Sequence, residues 1–241
     1  MRIFGKYQCA GMLLAACAVL PVWAAPIVSG VPDQAAFDSF AKDVTAAFDY
    51  RPLQPDAGGI LGLDVSAFGT VAQIHDRDAY HTFTGRNDHV ISLGGVQIAK
   101  GLPGNLEVGG FIAGVAQGSV TLYGAQLRYK LLEGTPITPS LAFAAHYTGA
   151  AGLDDARFRS WGVDATVAQS FLIFKPYAGV GYVWGRLSPR HGIALAPSHP
   201  ERVRGFAGIR MALLPMLYVG AQYERVGRTN TYSASLGLSI P

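Results

Sequence analysis

Cysteine is nearly missing from this chain. The two present, Cys9 and Cys17, both lie within the first 25 of 241 positions. Nothing downstream can form a disulfide, act as a thiol nucleophile or supply a Cys-rich metal site. Charge is scarce as well, at 15% of residues against roughly 25% in soluble domains. That scarcity, with half of all residues hydrophobic, excludes a disordered chain, which needs high charge and low hydrophobicity. The formal charge of +3 carries no clustered basic excess, so nucleic acid is not an expected partner. The phosphate loop of Gly-x4-Gly-Lys-Ser/Thr form and the Gly-x-Ser-x-Gly elbow are both lacking. What the chain does have is glycine, 30 residues or about one in eight, and a positive mean hydropathy of +0.25. Few charges, much glycine and positive hydropathy suggest a chain that meets lipid.

Met1–Ala25 has a basic start (Arg2, Lys6), an apolar stretch and small residues at its end. This is the layout of a secretory signal peptide, with cleavage expected after Ala24. The apolar run is short for a membrane anchor, which takes ~20 residues. Leu14-Ala15-Ala16-Cys17 also matches a lipoprotein box. Lipidation at Cys17 is the lesser reading, because it would leave the hydrophobic stretch 18–25 on the mature chain. The expected organisation is a signal peptide over 1–24, a periplasmic helix and linker over 25–57, and a barrel over 58–241.

The body of the chain alternates with period two. Tyr123, Ala125, Leu127, Tyr129 and Leu131 alternate with Gly124, Gln126, Arg128 and Lys130. A strand sends successive side chains to opposite faces, so this segment has one oily and one polar face. Tyr232–Ile240 repeats the pattern with serine and glycine as the small polar set. Ten strands are expected, near 59–73, 89–100, 105–117, 119–132, 137–148, 159–170, 173–186, 202–213, 216–226 and 229–240. The faces of the second remain undecided. Each approaches or exceeds the ~9–11 residues of a tilted transmembrane strand.

The connections give a second criterion. Long loops (73–88, 149–159, 188–202) fall at one end, where the short Gln117-Gly118-Ser119 connection breaks the pattern and Gly227–Asn230 is also short, and tight turns such as Pro103-Gly104 and Leu214-Pro215 fall at the other. Outer-membrane barrels have long external loops and short periplasmic turns. On that topology Tyr123, Tyr147, Trp161, Tyr182, Trp184, Tyr223 and Tyr232 lie near the external ends of their strands. Tyr129 and Phe174 lie near the periplasmic ends. Together they form an aromatic belt at the water–lipid boundary.

The expected fold is therefore all-β: a closed antiparallel transmembrane β-barrel of about ten strands with a short N-terminal helix. Hydrocarbon offers no hydrogen-bond partner, so only helices and closed barrels satisfy every backbone group within it. Two rivals fit less well. A spanning helix over Val108–Leu127 would contain Gly109, Gly110, Gly114, Gly118 and Gly124. A soluble β-sandwich would want more charge outside. The expected inward set is Asp64, Glu107, Gln126, Arg128, Lys130, Asp164, Lys175, Arg204, Arg210, Gln222 and Glu224. Its signs are mixed and a ten-stranded lumen is narrow, which favours a packed ion-pair network over a narrow polar conduit. Ahead of the barrel, Phe37, Phe40, Ala41, Val44 and Phe48 recur at helical spacing. That helix either caps the barrel from the periplasm or plugs it, and Arg51–Ala57 reads as the linker.

From about Gly59 onward the chain resembles the small β-barrel outer-membrane proteins of Gram-negative bacteria. Tyr50-Arg51-Pro52-Leu53, followed by Gly59-Ile60-Leu61-Gly62-Leu63-Asp64-Val65, is similar to the lead-in of uncharacterised barrels of that kind. The resemblance implies outer-membrane lipid and the barrel-assembly machinery as partners, and it implies no activity. Family barrels usually end in an aromatic residue, whereas this chain ends Ser239-Ile240-Pro241.

Chemistry-bearing residues are few. His75, Asp76, Asp78 and His81 cluster in the first external loop and could offer metal ligands, although polar residues in a loop need no such role. Asp76, Asp78, Asp154, Asp155 and His146 loosely resemble the acidic pairs and histidine of an outer-membrane protease. No motif of that family is present. No catalytic residue, metal or cofactor is expected. A non-enzymatic barrel is the first reading: structural, surface-binding or a narrow channel. The alternative is an outer-membrane hydrolase with its active site at the external mouth.

Overall fold

The structure, a computed structural model, describes residues 33–53, 62–135, 137–190 and 194–240. The signal peptide, Cys17 and the segment Gly59–Leu61 fall outside the described residues. Ten antiparallel strands form one closed barrel: β1 (Leu63–Gln73), β2 (Val90–Leu102), β3 (Leu106–Val115), β4 (Thr121–Leu132), β5 (Ser140–Ala151), β6 (Ala156–Ala168), β7 (Phe174–Pro189), β8 (Glu201–Ala212), β9 (Leu217–Val226) and β10 (Thr229–Ile240). The seam is fully zipped. β1 pairs with β10 from Leu63 opposite Ile240 to Ala72 opposite Thr231. The Thr70 and Ser233 hydroxyls meet across it at 2.9 Å. No edge strand is left to expose unpaired amides.

The alternation sorts the two faces. Val65, Val96, Ile112, Leu127, Val163, Val180 and Leu236 are exposed on the outer wall. Between them the belt residues also point outward. Trp161 stacks on Trp184 at 4.3 Å with 16° between planes, and Tyr223 packs against Tyr232. Tyr123, Tyr129, Tyr147 and Phe174 are exposed, while Tyr182 and Trp184 are half-buried by their neighbours. Past the Trp pair the outer face turns charged, with Arg157, Arg159 and Arg186 exposed. Here the strands run on past the apolar band of the outer wall. This explains why β6 begins at Ala156 rather than near Arg159. The expected long loop over 149–159 is thus only the short link 152–155, shorter than the 133–139 turn at the opposite end.

The lumen is not uniformly polar, and this corrects the expected inside–outside rule. Near the long-loop end the inner wall is apolar: Ile91, Leu93, Val115, Leu122, Phe158 and Leu187 are buried there. Helix α1 (Gln34–Phe48) fills that half from within. Its Phe37, Phe40, Val44 and Phe48 pack into the same cluster. The helix therefore does not cap the barrel from the periplasmic side. Its apolar stripe finds a partner only inside. Asp33 caps its start, accepting from the Ala35 and Ala36 amides at 3.2 and 3.3 Å.

The first loop, read from the sequence as a long polar connection over 73–88, contains a second helix, α2 (Arg77–Thr84). Its Phe83 lies 5.4 Å from both Phe37 and Phe40, so the loop folds inward onto α1. Asp76 caps α2 by accepting from the Ala79 amide at 3.0 Å. Gly85 ends it at φ +67°, a conformation glycine adopts without strain.

Candidate functional site

A backbone cylinder of ten strands tilted by about 40° is roughly 20 Å across, from a ~4.8 Å strand spacing. Inward side chains reduce that to about 10–12 Å, the width of one helix. α1 is thus a stopper of matching calibre. Both of its ends are tied to the barrel. At the long-loop end the Gln34 carboxamide exchanges hydrogen bonds with the Ala196 backbone at 2.9 and 3.3 Å. Two residues past mid-helix, the buried Asp43 carboxylate accepts from the His75 and Asp76 amides, both at 3.0 Å. It also accepts from the Thr229 hydroxyl at 2.8 Å. A single carboxylate thereby joins the plug, the first loop and the β9–β10 turn. Removing it as Asp43→Ala orphans partly buried amides, each worth about 1–3 kcal/mol. Trypsin cleavage at Arg77 and Arg86 is then expected to accelerate at least tenfold, with the barrel itself resistant.

At its inner end the plug reaches the middle of the lumen. Asp49 accepts from the Ser160 hydroxyl at 2.6 Å, from Arg204 Nη1 at 2.9 Å, and contacts His146 Nε2 at 3.0 Å. Arg204 also donates to the Tyr50 carbonyl at 2.6 Å. It then bridges to Asp164 through Nε at 3.0 Å and through Nη2. His146 Nδ1 stands 3.2 Å from Asp164. All these side chains are buried. Two carboxylates therefore share one guanidinium and one imidazole, and one of the two carboxylates, Asp49, comes from the plug. Arg51, at the start of the expected linker, is buried. Its guanidinium turns back on the last turn of α1, donating to Ala46, to Ala47 at 2.8 Å and to Asp49 at 3.1 Å. This supplies donors to carbonyls the helix end leaves free, and it places a cation at the negative pole. On its other side Arg51 lies 3.8 Å from Glu224. Tyr50 lies between Phe111 and His146, with ring centroids at 5.3 and 5.8 Å.

The residues read from sequence as the inward set fall into this frame. Asp64, Glu107, Gln126, Arg128, Asp164, Arg204, Gln222 and Glu224 are buried in the lumen. Lys130, Lys175 and Arg210 are half-buried towards the tight-turn end. One pair joins adjacent strands and the others reach across one or two intervening strands. Glu107 faces Arg128 in register and binds it at 2.8 Å. Arg210 binds Asp64 at 2.9 Å and lies 3.5 Å over the Tyr218 ring. Tyr218 in turn donates to Asp64. Tyr177 donates to Gln222 at 2.9 Å.

The loop residues do not assemble a centre. Asp76 is spent on capping α2, and among the described residues no group of three or more His, Asp or Glu side chains could hold a metal ion. His146 is not at the external mouth. It sits at mid-lumen against Asp49 and Asp164, so the protease-like set Asp76, Asp78, Asp154, Asp155 and His146 is not brought together. The residues missed from sequence are those of the plug, Asp43, Asp49, Tyr50 and Arg51, together with Ser160 and Tyr218. No local pattern marks them.

No family model matches the chain, and no curated protein matches it. Among solved structures it is similar to the N-terminal β-barrel domain of Pseudomonas aeruginosa OprF. The two are 11% identical over 76% of this chain and 99% of that one, with a TM-score of 0.38. The KdgM porin, solved with disordered oligogalacturonate, is 8% identical over 74% and 99%, TM-score 0.39. The outer membrane protease OmpT from Escherichia coli is 9% identical over 74% and 96%, TM-score 0.42. These are outer-membrane β-barrels, and the likeness concerns fold alone.

Proposed function

We propose that this chain is a non-enzymatic barrel of the bacterial outer membrane whose lumen is closed by its own N-terminal segment. It acts through the face formed by its long loops rather than by passing solutes. One observation carries the reading: Asp49, on the plug, is held by Ser160, His146 and Arg204 from three different strands. A conduit would need water around such groups, whereas here they satisfy one another out of water, the condition under which buried charges are tolerated. The apolar outer wall and its aromatic belt support outer-membrane lipid as the surrounding partner. The barrel-assembly machinery follows as the partner in biogenesis. The hydrolase reading would require an acid pair or a nucleophile–base pair at the external mouth. The nearest such grouping, Ser160–Asp49–His146, is enclosed by the plug. The test is single-channel recording of the purified protein in planar bilayers. Silence at background level is the expected result, and regular conductance steps from the unmodified protein would overturn the reading.

A further inference from the structure

At the long-loop end, beside the plug rather than beneath it, lies a cavity of about 140 Å³. Its floor is Phe40, Val44 and Phe48 of α1, and Val115 and Leu187 of the wall close its sides. The links Gln117–Val120 and Gly152–Asp154 frame its mouth. The deep lining is apolar, so a water there would lack the two to four polar partners it needs. The polar groups of the lining, Thr84, Arg86, Gln117, Ser119 and Asp154, lie among its more exposed residues and links. An engineered apolar cavity of similar size, about 150 Å³ in another protein, stays dry and binds benzene. Nor can this cavity close by a shift of the helix. Val44 follows Asp43, which is tied to the loops, and Phe48 precedes Asp49, which is tied to the lumen network.

The chemistry of the walls selects the occupant. Three of the lining side chains are rings, Phe40, Phe48 and Tyr80. Aromatic rings favour another ring, through edge-to-face or offset contact. At the rim Arg86 is already matched by Asp88 at 2.7 Å, and Asp154 adds an exposed negative charge. The rim therefore offers no surplus cation to an anionic group.

We propose that this cavity is a binding site for a neutral single-ring aromatic molecule, a benzene or phenol rather than a benzoate. The site is separate from the lumen network, and it stands whether or not the barrel conducts. The experiment is ¹⁹F NMR of fluorobenzene with the full-length protein in detergent, with Ala156→Leu in the same detergent as the comparison. Ala156 lines the cavity, so the larger side chain fills it. The native protein should give a saturable bound signal that phenol displaces and benzoate does not. Affinity should fall at least tenfold in Ala156→Leu. Should that variant fail to fold, Leu153→Trp at the mouth serves the same purpose. An identical signal from native and filled proteins would show partition into micelles only and overturn the site. Displacement by benzoate or n-hexane as readily as by phenol would overturn the ligand class. Neither outcome touches the conductance result, so the two readings fail separately.

Discussion

Asp49→Ala should release the plug. The substitution removes the carboxylate that receives Ser160, Arg204 and His146 and leaves a buried guanidinium with one anion fewer. Breaking a buried pair by deleting one partner costs about 3–5 kcal/mol. At about 1.4 kcal/mol per decade, that raises the unseated population by roughly two to three and a half orders of magnitude. The lack of cysteine beyond Cys17 gives a clean readout. Ala46 is fully buried on α1, so a single Ala46→Cys thiol reacts with maleimide only when the plug opens. Its labelling should be very slow in the otherwise native background. In the Asp49→Ala background it should be at least a hundredfold faster, with conductance steps appearing in bilayers. Asp49→Asn, which keeps one oxygen for Ser160, should fall between. Labelling within threefold of native in both variants would mean that the apolar stripe of α1 alone holds the plug.

The barrel was legible in the sequence because an apolar outer wall around an inward-facing set enforces period two over the whole band. Tyr123–Leu131 and Tyr232–Ile240 show it without ambiguity. The second strand was not legible for a physical reason. Its inward residues change from Ile91 and Leu93, which face the plug, to Gln97, which faces the polar lumen, while Val96 and Ile98 are exposed on the outer wall. Both faces are apolar somewhere, so alternation carries no sign. Helix α2 did leave a signal, Ala79, Tyr80 and Phe83 at helical spacing within the polar loop, but it is too short to stand out. The contents of the site were the least legible. Asp49 meets His146, Ser160 and Arg204 across 97, 111 and 155 residues of sequence. Those contacts exist only because the barrel closes around the plug. The spacing of Phe37, Phe40, Val44 and Phe48 does predict a helix, yet an apolar stripe does not say which wall will bury it.

A single added methyl tests how closely the wall is fitted to this network. Asp164 on β6, Gly181 on β7 and Arg204 on β8 stand in one cross-strand row. The Asp164–Arg204 ion pair thus reaches over the position between them, and it can do so only because that position has no side chain. A Cβ built on Gly181 would fall within the Asp164 carboxylate. Gly181→Ala must therefore push Asp164 off Arg204 or bend the strand. The expected loss is of the same order as a broken buried pair, about 3–5 kcal/mol. It should be seen as a lower denaturation midpoint for the barrel and faster Ala46→Cys labelling together, since Arg204 also holds Asp49. Gly205, opposite Val180 one place along the same strand pair, is the control. A Cβ there meets nothing within 4 Å, so Gly205→Ala should be neutral or stabilising by up to about 1 kcal/mol, the usual advantage of alanine inside a strand. Equal behaviour of the two variants would mean that the glycine serves the bend of the strand and not the ion pair. A drop for Gly181→Ala alone ties the smallest residue in the wall to the charge that keeps the plug in place.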